Sequence, residues 1–352
     1  MLTTTLNPHV AAQPTIKDLA VEDVTVVMPF YNRIKFLQHY IAEGFWDGLK
    51  LQLVCDGPAQ AMLSDLHTLV APHEHIHVHS YEVNQGPGYA RATGIARAET
   101  PGVVFCDDDD FMTDGAAFLT RSSQRLNLHP DVLFTAMPDV AAFNEQLAHR
   151  IQYDRRQFHG KTGRELLTFL VKTGEMRLLG LGSVFRTSDI NGIYPETFFK
   201  VSEDYTFLAR LCAKYPDRKV YVEERGMYMR LIQQNSLSSK ASYSLDKIVM
   251  HLVSMFVGAY YLFKMGMLRT AIFQQILRNR GDVLLQSYSK GKEAADMMAA
   301  LLDGSRKTQL SGEQKAAFDF LQSKKHLLPE EFLWLVGWQP PQVAKRTDWN
   351  SI

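Results

Sequence analysis

Val103-Val104-Phe105-Cys106-Asp107-Asp108-Asp109-Asp110 is an apolar run of strand character that ends on four consecutive carboxylates. Four such groups repel one another and resist burial unless a cation or a polar cleft receives them. A strand ending in Asp-x-Asp-Asp therefore points to a site for a hard divalent ion such as magnesium or manganese. Such an ion takes one or two carboxylates and completes its shell with phosphate oxygens and water. A solvated turn whose first Asp caps the next helix is the other reading of the same residues.

Upstream, Val24-Thr25-Val26-Val27-Met28 is a second buried-type run, broken by Pro29-Phe30-Tyr31-Asn32-Arg33 before helical periodicity resumes. Leu51-Gln52-Leu53-Val54-Cys55 is a third, closing on Asp56-Gly57-Pro58. In open α/β sheets ligands bind in the crevice outside the carboxyl ends of the strands, so Asp56 and Asp107 are expected to face one pocket. Between these strands, Asn84-Gln85-Gly86-Pro87-Gly88 is a loop opening a helix through Arg91, Gly94 and Ala98. The first amides of that helix favour an anion, and Arg91 is placed to turn toward a diphosphate. Further on, Gly180-Leu181-Gly182-Ser183-Val184-Phe185 reads as a loop and strand, and Ser202-Glu203-Asp204-Tyr205 opens an amphipathic helix. Taken alone, Glu203 and Asp204 fit ordinary first-turn acidic residues.

The order of these pieces is the specific signal. Met28-Pro29-Phe30-Tyr31-Asn32-Arg33, Cys55-Asp56-Gly57, Asn84-x-Gly86 with Ala90-Arg91 and Gly94-Ile95, Phe105-Cys106 with Asp107 to Asp110, and Glu203-Asp204-Tyr205 resemble, in succession, the family 2 glycosyltransferases. The resemblance covers residues 24 to about 238. Three positions depart from the family's usual pattern: Cys55 stands for an Asp, Pro58 for a Ser and Ala92 for an Asn. The resemblance implies an α/β chain of GT-A fold, a Rossmann-like mixed sheet flanked by helices, followed by a helical C-terminal region. It also implies inverting transfer of a sugar from a nucleotide-diphosphate donor, by default a UDP-sugar, to a hydroxyl of a carbohydrate or glycolipid acceptor.

Carried over position by position, Pro29, Phe30 and Tyr31 would line the nucleoside pocket and Asp56 would bind the base. Arg91 would reach the donor or its diphosphate. Asp109, with Asp107, would hold the metal, Asp107 lying nearer the ribose, and Asp108 would join the donor site. Asp110 would support the metal or touch the sugar. Glu203 and Asp204 match the acidic pair that supplies the catalytic base, with Asp204 the choice for that role. Arg230 would assist the leaving phosphate, in a loop where relatives often carry a His and this chain has Gln233, Gln234 and Asn235. The Gln-x-x-Arg-Trp signature of processive membrane synthases is absent. A bacterial surface-polysaccharide pathway is the family-level expectation. The alternatives are a non-catalytic sugar-nucleotide or carbohydrate-binding module of the same fold, and a nucleotidyltransferase, which would want a Gly-rich basic loop after the first strand.

Composition agrees with a globular enzyme. Among 352 residues, 46% are hydrophobic, and Lys plus Arg equals Asp plus Glu at 38 each, so the basic face that bulk nucleic-acid binding needs is not expected. Cys55, Cys106 and Cys212 are widely spaced and odd in number, as for reduced core thiols in a cytoplasmic protein, possible contact with the inner membrane face included. Residues 1–22 read as a flexible tail without a secretion signal, 23–238 as the GT-A domain and 239–352 as a helical region. Within the last, Ile248 to Leu268 is the most apolar window, expected to be a buried helix rather than a membrane span, with a surface helix on anionic lipid as a third option. Phe332, Trp334 and Trp338 suggest a helix docking on the body or on a second subunit, which leaves a homo-oligomer open. His73, His75, His77 and His79 alternate along what reads as one strand, expected to be a solvent-facing edge rather than a zinc site.

Overall fold

The computed structural model describes residues 23–44, 48–58, 60–144, 150–173, 179–193, 202–232, 254, 257–262 and 264–267. The first half of the chain alternates strand and helix: β1 (Val24–Phe30), α1 (Ile34–Ala42), β2 (Lys50–Asp56), α2 (Gln60–Val70), β3 (Ile76–Tyr81), α3 (Pro87–Arg97) and β4 (Gly102–Phe105). β1 pairs in parallel with β2 on one side and with β4 on the other, and β2 carries β3 at the edge. Strands covered by helices on both faces read as continuous apolar runs, and every residue of β1 except Pro29 is buried. The path runs outward from β1 to β3 and then crosses back to β4, so the strand order reverses between β1 and β4. That reversal opens a crevice beyond their carboxyl ends.

After β4 come β5 (Phe111–Thr113), α4 (Gly115–Leu128), β6 (Val132–Ala136), β7 (Asp139–Asn144), β8 (Arg150–Asp154), α5 (Gly163–Thr173), β9 (Ser183–Arg186), the short α6 (Thr187–Ile190), α7 (Glu203–Lys214), β10 (Lys219–Val222) and β11 (Met227–Ile232). β9 runs antiparallel between β4 and β6 and completes a seven-stranded sheet ordered β10-β6-β9-β4-β1-β2-β3. A second sheet, β5-β11-β7-β8, lies beside it, with β11 antiparallel to β5 and parallel to β7. This is a mixed α/β architecture, a Rossmann-like sheet flanked by helices, as the sequence leads one to expect.

Two contacts show how tightly α3 and the core are set. A Cβ added at Gly94 would lie 2.4 Å from Val27 Cγ1, so only glycine lets α3 sit this close to β1. Phe105, Phe134, Phe185 and Phe207 are fully buried, with ring centroids 5.1 to 5.6 Å apart, and join β4, β6 and β9 to α7. Each such aromatic pair adds roughly 0.5–1.5 kcal/mol beyond the area it buries. α7 thereby carries its first turn to the same sheet edge as the end of β4.

The three cysteines are buried and free. Of the four alternating histidines, only His77 and His79 lie in a strand, because β3 begins at Ile76. His79 Nε2 lies 2.5 Å from Gln52 Oε1 on the neighbouring strand, and His73 and His75 stack edge to face before it. In the apolar window, Val257, Ala259 and Leu262 are buried within helical residues 257–262, as a helix docked on the body requires. Among the described residues no helix is long and apolar enough to cross a membrane. Residues 1–22, and the segment carrying Phe332, Trp334 and Trp338, lie outside the described residues.

Candidate active site

The acidic quartet sits directly beyond β4 in a tight turn closed by the Asp110 amide donating to the Asp107 carbonyl at 3.1 Å. The turn sends the side chains three ways: Asp107 to α3, Asp108 and Asp109 to the loop between β1 and α1, and Asp110 to β11. Asp107 Oδ1 accepts from Arg91 Nη2 on α3 at 2.7 Å. Asp108 Oδ2 accepts the Tyr31 amide at 3.1 Å, and its Oδ1 accepts from Arg33 Nη1 at 3.0 Å. Asp109 pairs with the same Arg33 nitrogen, while its carbonyl accepts the Tyr40 hydroxyl at 2.9 Å. Asp110 is turned away from the crevice: its Oδ2 accepts the Tyr228 hydroxyl at 2.7 Å and its Oδ1 the Leu231 amide at 3.1 Å. That carboxylate is 1% exposed and bolts β11, and with it Arg230, to the quartet.

The acidic pair opens α7 after Ser202, whose φ of 59° turns the chain sharply into the helix. Arg91 reaches across the crevice, donating Nη1 to Glu203 Oε1 at 2.6 Å. One nearly buried guanidinium thus joins the end of β4 to the start of α7. Asp204 is more open than Glu203, with Oδ1 accepting its neighbour Tyr205's amide at 2.9 Å. Arg230 is the third cation of this group. Burial works against its charge, but Asp110, Asp107 and Asp204 outweigh it and hold its pKa above the ordinary value.

Six carboxylates share this edge with the guanidiniums of Arg33, Arg91 and Arg230. The excess of negative charge shows in their titration. Burial, only partly offset by Arg33, pushes Asp108 up to about 7. Burial and the neighbouring Asp204 push Glu203 up to about 7 against the pull of Arg91. Asp109, Asp110 and Asp204 are raised as well, burial being the main cause in each. Such a crevice is suited to an incoming cation.

Several expected site residues are placed differently by the structure. Phe30 is fully buried in the core and is not part of the crevice wall, whereas Tyr31 is half exposed and Pro29 partly so. Asp56 is already engaged: its oxygens accept the amides of Gln85 at 2.6 Å and Gly86 at 2.9 Å, holding the loop that starts α3. Gly57, at a φ of 67°, makes that approach possible, since a Cβ there would lie 2.5 Å from the Asn84 nitrogen. Arg91 is bonded to protein carboxylates rather than aimed at an open diphosphate site. Asp107, Asp109 and Asp110 do not converge, and among the described residues no three His, Cys, Asp or Glu side chains form a metal-ligand set. The turn is the reason, since it splays successive side chains. Asp107, at 28% side-chain exposure, is the most open of the four.

Two participants had no assigned role in the sequence reading. Tyr228 donates to Asp110 and accepts the Asp107 amide at 3.2 Å, and Arg33 spans two of the four carboxylates. Neither has a positional signature, because their partners lie between 75 and 121 residues away. Cys55, which replaces an expected Asp, is fully buried and its thiol is pushed up to about 12 by burial and then by Asp108. It stays neutral where a second carboxylate would have added to the charge.

Residues 25–179 match the family model described as glycosyl transferase family 2. An uncharacterized glycosyltransferase of Haemophilus influenzae is 24% identical over 94 residues, covering 26% of this chain and 38% of that protein. The match thus spans well under half of that relative. Among solved structures, TarS residues 1–349 of S. aureus in complex with UDP superposes with a TM-score of 0.51 at 16% identity, covering 89% of this chain and 90% of that one. A second S. aureus TarS structure gives a TM-score of 0.51 at 15% identity, covering 89% of this chain and 55% of that one. At these identities the likeness is one of fold, the GT-A fold of glycosyltransferases.

Proposed function

We propose, from the match of residues 25–179 to the glycosyl transferase family 2 model, that this chain is a metal-dependent inverting glycosyltransferase. It moves a sugar from a nucleotide-diphosphate donor, a UDP-sugar by default, to a hydroxyl of a carbohydrate or glycolipid acceptor. The observation that carries the reading is the Arg91 bridge, which brings Glu203 and Asp204 to within one guanidinium of Asp107. The UDP complex of a chain with this fold supports a nucleoside diphosphate as the leaving group. Bacterial surface-polysaccharide synthesis, at the cytoplasmic face of a membrane, is the setting this chemistry fits.

In this reading Asp107 and Asp109, two carboxylates rather than a complete set of protein ligands, would hold a magnesium or manganese ion. When bound, that ion supplies positive charge to the diphosphate oxygens as they leave. The protein's own groups do the rest. Pro29 and Tyr31 flank the nucleoside, and Asp56 acts through the Gln85-Gly86 backbone it braces. Arg230 faces the leaving diphosphate as a second cation. Asp204 accepts the proton of the attacking hydroxyl at Oδ2, the oxygen not bonded to Tyr205. Its raised pKa makes it a better base than an ordinary surface Asp, and such a base contributes about 10²–10⁴-fold. Glu203 and Arg91 hold the first turn of α7 in place. Attack from the face opposite the diphosphate inverts the anomeric carbon.

The test is a thermal-shift panel of nucleoside diphosphates and sugar nucleotides, with and without manganese, on the wild type and Asp109→Ala. Stabilisation by one nucleotide that needs the metal and is lost in the variant is the expected result. No response to any nucleotide would overturn the reading and leave a non-catalytic member of the same fold.

A further inference from the structure

Arg33 holds a position to which the proposed chemistry gives no role. It stands in the loop between β1 and α1, just after Asn32, which takes a left-handed φ of 59°. A single nitrogen, Nη1, is shared between Asp108 Oδ1, at 3.0 Å, and Asp109 Oδ2. One positive centre between oxygens of two carboxylates is the arrangement a divalent ion adopts. The two carboxylates are 6% and 8% exposed at the side chain while the Arg33 side chain is 32% exposed, so the guanidinium caps them from the solvent side.

We propose that Arg33 is a tethered cation that holds Asp108 and Asp109 together in the resting enzyme and is displaced from Asp109 by the divalent ion when the donor site fills. The proposal rests on the metal-dependent reading above. It adds that this chain regulates its own metal affinity: a guanidinium and a divalent ion cannot both lie against the Asp109 carboxylate without strong repulsion. Displacement is feasible because the side chain is long, 32% exposed and held at its tip. The result is a site that is weak for metal alone and tightens when a diphosphate offers the displaced guanidinium another anionic partner.

The experiment is a direct titration of the full chain with manganese, followed by electron paramagnetic resonance of the free ion, without nucleotide. It is run at pH 8, so that proton competition for the carboxylates is small. Arg33→Gln is expected to bind manganese about tenfold more tightly than wild type, and Arg33→Met, which keeps the apolar stem, to do the same. Arg33→Lys, which keeps the charge, is expected to stay within about threefold of wild type. Melting curves on the same samples report whether each variant is folded. Unchanged or weaker binding in folded Gln and Met variants, with manganese bound by wild type, overturns the role of Arg33 and leaves the metal-dependent reading standing. Absence of manganese binding in wild type and variants alike, even with UDP added, overturns both.

Discussion

Arg91 and Glu203, 112 residues apart in sequence, meet at 2.6 Å in a nearly buried contact, and the same guanidinium holds Asp107 at 2.7 Å. A charge pair removed from water gains from its mutual attraction only when both partners stay in place. Arg91→Gln is therefore expected to cost about 3–5 kcal/mol of stability by stranding Glu203, and Arg91→Gln with Glu203→Gln to recover much of that loss. Urea unfolding of the wild type, the single variants and the double variant measures the coupling, and equal losses in the single and double variants would refute it.

The two members of the acidic pair separate by what they touch. Asp204→Asn is expected to lower kcat by about 10²–10⁴-fold with little change in the KM for donor, as for a lost general base. Glu203→Gln keeps the shape but weakens the bond to Arg91, and should lower stability as well as rate. Steady-state kinetics with a UDP-sugar, alongside melting curves, distinguishes them; a normal kcat in folded Asp204→Asn would remove Asp204 from the mechanism.

The pH dependence of stability follows from Asp108. Its carboxyl moves from an ordinary 3.8 in the unfolded chain to about 7 in the fold, so the native state binds this proton more tightly. The contribution is full below about pH 4 and drains away as the pH rises to 7. Melting temperatures of wild type and Asp108→Asn between pH 4.5 and 8, without metal, should diverge: wild type loses stability relative to the variant as pH rises. A parallel pair of curves would contradict the shift.

Gly94 is a packing residue, not a ligand. Gly94→Ala places a methyl 2.4 Å from Val27 Cγ1 and is expected to destabilise by about 1–3 kcal/mol. Val27→Ala in the same chain removes that methyl and should restore part of the loss, although by itself it opens a cavity. Denaturation midpoints decide, and additive losses in the double variant would show that the two residues are not in conflict.

Much of the fold is legible locally. The apolar runs at Val24 to Met28, Leu51 to Cys55 and Val103 to Cys106 announce strands because a sheet covered on both faces admits little else, and Gly86-Pro87 announces the start of α3 by its backbone chemistry. The second sheet is not legible in this way. β7, β8 and β11 acquire their places only by pairing with one another, and the histidine run, which reads as one strand, starts pairing only at Ile76.

The order of motifs by itself determined that this chain has an α/β sheet with acidic residues at its carboxyl edge, because a strand end followed by carboxylates can be read from consecutive residues. Tertiary structure alone decided what each carboxylate faces. Four successive side chains leave a tight turn toward three parts of the chain: Arg91 takes Asp107, Arg33 takes both Asp108 and Asp109, and Tyr228 with Leu231 takes Asp110. It also decided that Asp110 serves β11, that Asp56 serves the Gln85-Gly86 loop and that Phe30 serves the core. A side chain's direction depends on long-range packing, which sequence spacing does not encode.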